Sequence, residues 1–454
     1  MRKRIVTAVL LALLLLPTAS MTPSSKAATE EEIEDSIVKG LAWLASQQNP
    51  DGSWDSDPYR TTALTGFALI KLQMRAYELG FDSPFDPGYE YARNVYNGWV
   101  FIFNVTNNIP SYVAAQNMSL QTHDSMQDDP DLNGNGIGIY FHNPTITHTV
   151  YTTGICLMAL EASGTPDRLN DGGIDFDSDG NPDTFKEIAQ DTAEWLAFAQ
   201  GDSGNDEGGW DYGALDNQTE NANTDNSNGG YAVLGLAAAE AFTCTVPGWV
   251  RTELDVWIGT IQDPVNGDPN DGGSYYNPDW LPGNPWCNEL KTGNLIFQMT
   301  FFGDTPATPR FMDAMDYIER HWMDQDNDPG WGYNQSPAHY QAMFCLMKGF
   351  EYSRIDLIDL DGDDTPEHDW YQELADVIVD QQNLGGSWPP SDWGDELLNT
   401  LWALLTLEKI APPPPPPPVG GTVYPTDKLG LYAIVGVPAT LALALIALAI
   451  TKRT

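Results

Sequence analysis

Two stretches, Gln48-Asn-Pro-Asp-Gly52-Ser-Trp54 and Gln382-Asn-Leu-Gly-Gly386-Ser-Trp388, decide the fold of this 454-residue chain. Each follows a segment with apolar residues at helical spacing and precedes another such segment. Glycine and the short polar residues beside it end the first helix, so each stretch predicts the turn of a helical hairpin. Looser versions of this turn recur between the two stretches: Gly208-Gly-Trp-Asp-Tyr212, Asp271-Gly-Gly-Ser-Tyr275 and Pro329-Gly-Trp-Gly-Tyr333.

Counting outward from these turns gives six hairpins, one of which carries a long insertion. In every pair the second helix is the more apolar, which is typical of a buried helix. The spacing therefore predicts an all-α fold, an (α/α)6 toroid with the second helices as an inner ring. The predicted helix pairs are 37–48 and 61–74, 89–103 and 147–162, 192–200 and 228–241, 250–262 and 288–302, 311–323 and 339–352, and 370–382 and 395–410.

The two exact turns resemble the Gln-x-x-x-Gly-x-Trp repeat of squalene cyclases. The helix order is similar to that of protein prenyltransferase β subunits and complement-type thioester domains, and the resemblance covers about residues 33–410. It implies the terpenoid cyclase and prenyltransferase toroid. In those families the glutamine caps a helix end and the tryptophan stacks in the turn, so the repeat implies structure, and fold alone does not fix function.

Both ends of the chain differ from its body. Arg2, Lys3 and Arg4 precede an apolar run over 5–16, as in a secretory signal. Near the other end, 22 uncharged residues would span about 33 Å as a helix, which is enough to cross a bilayer. We therefore predict a signal peptide (1–27), a toroid ectodomain (28–410), a proline-rich linker (411–427), a transmembrane helix (428–450) and a cytoplasmic tail (451–454).

This organisation resembles that of the membrane-anchored surface proteins of prokaryotes, with the ectodomain outside the cell. The linker contains seven consecutive prolines, which form a stiff, extended stalk. The charge is extreme, with 21 basic and 64 acidic residues and a net charge of −43. This acidity suggests an archaeal source, and it argues against a nucleic-acid partner because a polyanion would be repelled.

Several acidic loops have the spacing of calcium ligands. The stretch Asp175-Phe-Asp177-Ser-Asp179-Gly180-Asn-Pro-Asp183 fits the Asp-x-Asp-x-Asp-Gly pattern, although Lys186 stands where an EF-hand has its last glutamate. These loops predict structural Ca²⁺ sites. The further candidate ligands are Asp359, Asp361, Asp363 and Glu367, then Asp131, Asn133 and Asn135, and also a cluster at 324–328.

The resemblance also implies three kinds of functional site, a catalytic acid, a zinc site and a thioester, and the sequence gives poor support to each. The acid motif of the cyclases, Asp-x-Asp-Asp, matches only at 361–364, after an inner helix and therefore at the wrong end of the toroid. The prenyltransferase zinc site would use Cys287 and His339, with His148 as a possible third ligand, but Pro285 replaces the family's aspartate, so zinc is disfavoured. None of the four cysteines has the Cys-x-x-Gln context of a thioester, and their pairing stays open.

The predicted mouth of the toroid, where the inner helices begin, gathers aromatic and acidic residues. Aromatic rings beside carboxylates suit the recognition of sugars. The candidate ligand-binding residues are Trp210, Asp211, Tyr212, Trp286, Glu289, Trp331, Tyr333, His339, Trp393, Asp395 and Glu396.

Two functional hypotheses follow. The first is a surface module that binds a peptide, glycan or lipid at this mouth, with calcium-stabilised loops. The second is an enzyme related to the terpenoid cyclases and prenyltransferases, or a carbohydrate-active α/α-barrel enzyme. An enclosed apolar chamber with a carboxylic acid would favour a cyclase, and two carboxylates about 5–10 Å apart in an open groove would favour glycoside cleavage. A mouth with neither would favour binding.

Overall fold

The computed structural model describes residues 27–106, 109–118, 129–145, 148–202, 204–214, 224–278, 286–325, 327–363, 365–391 and 393–412. The predicted signal peptide, linker, transmembrane helix and tail lie outside these residues, apart from residues 27, 411 and 412 at their borders. Within the described ranges, none of the helices combines the length and the hydropathy that a bilayer crossing requires.

Twelve α-helices form the described body, and they alternate between two layers. The first helices of the hairpins are α1 (Glu30–Ser46), α3 (Ala92–Ile102), α5 (Phe185–Phe198), α7 (Trp249–Ile261), α9 (Pro309–His321) and α11 (Trp370–Asp380). The second helices are α2 (Thr61–Glu78), α4 (Thr149–Ala162), α6 (Asn226–Ala241), α8 (Glu289–Phe302), α10 (Tyr340–Ser353) and α12 (Glu396–Leu407). Each predicted helix has its counterpart here.

The second helices form a closed inner ring. Each packs on the next in the order α2, α4, α6, α8, α10, α12, and α12 returns to α2. Nearly every residue of these helices is buried, whereas α9 and α11 bury one face only. A helix that is apolar on all sides is stable only when it is surrounded, so this sequence difference assigns the layers. The architecture is consistent with the predicted α/α toroid.

The glutamine of the repeat ties neighbouring hairpins together. The Nε2 atom of Gln48 donates to the carbonyl of Gly52 in its own turn and to that of Asn94 in the next first helix, both at 2.9 Å. Gln382 makes the same pair of bonds and reaches Ser36 of α1, which closes the circle. Gln200 and Gln262 repeat the pattern. The motif is therefore a clamp between repeats.

The tryptophan of the repeat is buried against the helix that precedes it. The indole nitrogens of Trp54, Trp210 and Trp388 donate to the carbonyls of Leu44, Leu196 and Ile378 at 2.7–2.9 Å. All three rings are fully buried. Each ring thus satisfies a carbonyl near the end of a helix while it fills the space between two layers.

The insertion between α3 and α4 departs from the all-α prediction. It contains two small antiparallel hairpins rather than helix alone: β1 (Val105–Thr106) with β2 (Ile109–Pro110), and β3 (Val113–Asn117) with β4 (Ile137–Phe141). Strand β4 packs on α5, with Tyr140 stacked on Trp195 at a centroid distance of 5.0 Å. The prediction was wrong at this place because strands of two to five residues leave little periodic signal.

Candidate functional site

A cavity of about 150 Å³ opens where α6, α8 and α10 begin. The indole rings of Trp286 and Trp393 meet edge to face in its wall, with 6.5 Å between their centroids. Trp393 is 46% exposed, so one wall remains open to solvent. The full lining is Ser227, Tyr276, Trp286, Leu290, Lys291, Asn294, Gln341 and Trp393.

The side chain of Asn294 gives this cavity an unused hydrogen-bond acceptor. Asn294 is 4% exposed, and its Oδ1 atom is buried without a hydrogen-bond partner. A buried amide oxygen in that state loses hydration without compensation, which costs about 1–3 kcal/mol.

Lys291 supplies the cavity's cationic group. Its Nζ atom donates to the carbonyl of Trp286 and lies 3.8 Å from the centroid of the Trp286 ring. Burial lowers the pKa of Lys291 to about 7, because a charged ammonium is poorly solvated there. Burial therefore disfavours the charged form of this amine relative to an exposed lysine.

The centre of the ring is filled below this cavity. Helices α2, α6 and α10 are not neighbours in the ring, yet Phe67 meets Tyr231 and Phe344 with centroid distances of 5.9 and 6.1 Å. Contacts between alternate helices of a six-membered ring must cross its centre. The Lys348 ammonium lies 5.2–5.5 Å from the rings of Tyr231, Phe297 and Phe344. At this level the toroid has a packed aromatic interior in place of an open chamber.

Three predicted mouth residues are packing elements. Trp210 and Trp331 are buried, and their indole nitrogens bond to backbone carbonyls. Glu289 is also buried, and its Oε2 atom accepts a hydrogen bond from the backbone of Trp331 at 2.7 Å. Burial raises the pKa of Glu289 well above its usual value. It holds the 327–331 turn against α8.

The other predicted mouth residues are spread around the rim. Asp395 caps α12 and pairs with Arg60, while Glu396 accepts a hydrogen bond from Ser387. Asp211 accepts a hydrogen bond from the backbone of Tyr212.

The aromatic mouth residues have ring contacts. Tyr333 packs on Trp331, and the ring of Tyr212 lies 4.4 Å from that of His148. Of the predicted set, Trp286 and Trp393 line the cavity, and the His339 ring lies 5.4 Å from Trp393.

The two candidate zinc ligands, Cys287 and His339, have structural contacts instead. The Nδ1 atom of His339 accepts the backbone hydrogen of Ala342 and so caps α10. Cys287 is buried, and burial raises the pKa of its thiol to about 12. Within the described ranges, the groups of His, Cys, Asp or Glu side chains with metal-ligand spacing contain neither Cys287 nor His339. All four cysteines are buried free thiols.

Two of the predicted calcium loops do assemble their carboxylates. Oxygens of Asp175, Asp177 and Asp183 lie within 4.8 Å of one another, and so do those of the 359–367 loop, namely Asp359, Asp361, Asp363 and Glu367. Asp179 is exposed and accepts hydrogen bonds from Asn181. Burial raises the pKa of Asp183 to about 6. Residues 326 and 364 of the acidic motifs lie outside the described ranges.

A more open depression of about 460 Å³ lies beside the first turn, where Asp51 and Asp55 contribute to its wall. Both carboxylates have structural partners, because Asp51 accepts from Ser53 and Asp55 pairs with Arg60 at 2.8 Å. They fix the turn and the start of α2.

Sequence reasoning missed most of the polar lining of the cavity. Asn294 and Gln341 stand on inner helices among apolar neighbours, which is a signal that could have been used, since a buried amide needs a partner. Tyr276 and Ser227 carry no such signal, and only the fold places their hydroxyls 3.4 Å apart.

The sequence matches no protein-family model and no curated protein. Among solved structures, it is similar to the type II terpene cyclase MstE from Scytonema, with 13% identity over 84% of this chain and 98% of that one, at a TM-score of 0.45. It is similar to Candida albicans protein geranylgeranyltransferase-I, with 12% identity over 82% and 90% and a TM-score of 0.45. A GH76 α-mannanase of Bacteroides thetaiotaomicron gives 10% identity over 83% and 95% and a TM-score of 0.48. All three have α/α-toroid folds.

Proposed function

We propose that this protein is a surface module that binds one terminal ring of a glycan in the cavity at the mouth of the toroid. The observation that carries the proposal is the pairing of two tryptophan walls with the unsatisfied Oδ1 atom of Asn294. Sugars present an apolar C–H face to aromatic rings and hydroxyl groups to amides. A cavity of this size takes about one six-membered ring, since engineered cavities of about 150 Å³ admit benzene.

Binding is favoured over catalysis by what lines the cavity. Its described lining holds amides, hydroxyls and one amine, and no carboxylate. Glycoside cleavage uses two carboxyl groups, and a terpenoid cyclase needs an enclosed apolar chamber with an acid in its wall. The packed rings of Phe67, Tyr231 and Phe344 occupy the centre where such a chamber would lie.

The test is an array of immobilised neutral oligosaccharides probed with the purified full-length protein, followed by calorimetry on the best binder. Trp393→Ala removes an exposed stacking wall and should weaken binding about tenfold, which corresponds to about 1.4 kcal/mol. Asn294→Leu, which lacks the acceptor, should weaken it as well.

The matched control is Tyr96→Ala, which removes an exposed aromatic ring from the outer helix α3 and should leave binding unchanged. If Trp393→Ala binds the glycan as tightly as the unaltered protein, the cavity is not the site. Binding of phospholipid vesicles or peptides with no binding to any glycan would refute the choice of ligand.

We also propose that calcium stabilises the loops at 175–183 and 359–367. The carboxylate oxygens gathered in each loop support this, because they repel one another unless a cation lies between them. Both loops connect a second helix to the next first helix, so they lie at the end opposite the cavity. The role proposed for calcium is therefore structural.

The ends of the sequence support export and anchoring. The basic and apolar run at the start and the uncharged run at 429–450 favour a single-pass membrane protein with the toroid outside the cell. Membrane fractionation with protease protection would test this. The toroid should be digested in intact cells and the last residues protected.

A further inference from the structure

The loop at 131–136 lies against two buried carboxylates that come from elsewhere in the chain. The backbone nitrogen of Asn133 donates to Oε1 of Glu194 at 3.1 Å, and its side-chain nitrogen donates to Asp191 at 2.6 Å. Asn135 donates to both oxygens of Asp191 at 3.1 and 3.2 Å. Asp191 and Glu194 are 2% and 0% exposed and lie one turn apart on α5.

One oxygen of this group has no hydrogen bond. The Oε1 atom of Glu194 accepts from Asn133 and from Gln190, while its Oε2 atom is buried without a hydrogen-bond partner. No lysine or arginine in the described ranges forms an ion pair with Asp191 or Glu194. Two adjacent buried carboxylates without a cation are costly, because each loses its hydration and repels the other.

We propose that Asp191 and Glu194 complete a calcium site with the loop residues Asp131, Asn133 and Asn135. We call these five residues the α5 site. The loop alone offers one carboxylate, which is too little charge for tight binding, and α5 contributes the two that the loop lacks. The site is independent of the glycan cavity, and it extends the calcium proposal to a clamp between separate elements.

The donor chemistry matches a hard cation that takes six to eight oxygens. The amide nitrogens of Asn133 and Asn135 bond to Asp191, which brings the loop side chains and the α5 carboxylate together. The Oδ1 atoms of Asn133 and Asn135 accept the backbone hydrogens of Asn135 and Ile137 at 2.9 and 3.0 Å, and each carbonyl oxygen keeps a second lone pair for an ion. Oδ1 and Oδ2 of Asp131 accept the backbone hydrogens of Gly134 and Gly136 at 2.9 Å, which fixes the conformation of the loop that carries the three candidate ligands.

The proposed ion would join the β3–β4 insertion to the outer layer. Strand β4 already packs on α5 through Tyr140 and Trp195. A cation held by both the loop and the helix would lock this contact. Removal of the ion should therefore loosen the insertion before it affects the ring.

The decisive variant is Glu194→Gln, which keeps the shape of the side chain and removes its charge. In calorimetric titration of the full-length protein with calcium chloride, it should weaken one site by at least tenfold. In chelator, the melting temperature of the variant should be equal to or above that of the unaltered protein, because the variant lacks the buried, unneutralised carboxylate. In calcium, it should be below that of the unaltered protein, because the variant binds the ion more weakly.

Glu31→Gln is the matched control, since it removes the same charge from an exposed position on α1. Titrations in a background that carries Asp177→Ala, Asp179→Ala, Asp361→Ala and Asp363→Ala separate this site from the 175–183 and 359–367 loops. A calcium response that survives there and disappears with Glu194→Gln supports the α5 site. If Glu194→Gln binds calcium like Glu31→Gln, or if the background variant alone abolishes all binding, the assignment of Asp191 and Glu194 is wrong.

Discussion

At the scale of single residues, a glycine in four of the five repeat turns faces the backbone of the next first helix, which cannot move aside. Gly272 has φ +79°, and a Cβ atom built there would lie 1.9 Å from the carbonyl oxygen of Asp313 in α9. Gly267 in the same loop has φ +83° and nothing within 4 Å. At both positions the positive φ is unfavourable for an L-residue. Only at Gly272 would a Cβ atom also collide with a neighbouring repeat.

This difference predicts the outcome of two alanine substitutions. Gly267→Ala should lower the free energy of unfolding by about 1–2 kcal/mol, the cost of the left-handed backbone. Gly272→Ala should cost a further 1–3 kcal/mol or so from overpacking. Denaturant unfolding of both variants measures the difference. Equal costs would mean that the close approach of the turn to α9 does not constrain this position.

Residues near the cavity show where sequence reasoning stops. Trp286 and Trp393 were expected at the mouth because they stand just before inner helices, and they line the cavity. Trp210 and Trp331 had the same sequence signal, but they are buried in the turns. A tryptophan that fills a turn and one that faces a ligand look alike in sequence, because only the direction of the side chain separates them.

At the scale of helices, the seam between the first and last inner helices contains a buried ion pair. Lys71 of α2 pairs with Glu408 at the end of α12, and their side chains are 0% and 3% exposed. A buried pair contributes little net stability, yet the loss of one partner leaves an uncompensated charge. The seam therefore depends on both residues together.

Glu408→Gln should lower the free energy of unfolding by about 3–5 kcal/mol, because the Lys71 ammonium stays buried without its counter-ion. The double variant Lys71→Met/Glu408→Met should recover most of this loss, since it removes both charges and keeps the volume. Asp35→Asn, which breaks the exposed pair with Lys39, should change stability by less than about 1 kcal/mol. Denaturant unfolding again provides the measurement, and a double variant no more stable than the single one would contradict this account.

The helices were predictable because two signals agreed on them. Apolar residues at helical spacing predicted each helix, and glycine with tryptophan marked the turns between them, as at Gly208 and Trp210. Strands β1 to β4 had neither signal, and only the fold shows that β4 packs on α4 and α5. Only part of the α5 site could be predicted from the sequence. Its loop has a recognisable spacing, but Asp191 and Glu194 belong to a different element.

At the scale of the whole molecule, acidic charge must be reconciled with a compact fold. A net charge of −43 opposes compaction through self-repulsion, and the effect is largest at low salt. The acidic loops concentrate that repulsion at a few points, which is where a divalent cation relieves the most. Bound calcium would therefore act on global stability although each site is local.

Chelation should lower the melting temperature of the purified full-length protein at low salt. An ion that binds only the folded state adds about 2.7 kcal/mol when its free concentration is a hundred times its dissociation constant. In a chain of this length, that corresponds to a shift of a few degrees. Asp177→Ala with Asp179→Ala should remove the share of the response that belongs to the 175–183 loop, because a carboxylate oxygen of Asp177 lies within 4.8 Å of those of Asp175 and Asp183.

Magnesium at the same concentration is the control for simple charge screening. It should restore less of the melting temperature than calcium, since it accepts fewer protein oxygens and keeps its water. A melting curve that millimolar chelator leaves unchanged would mean that these loops are acidic surface, stabilised by solvent alone.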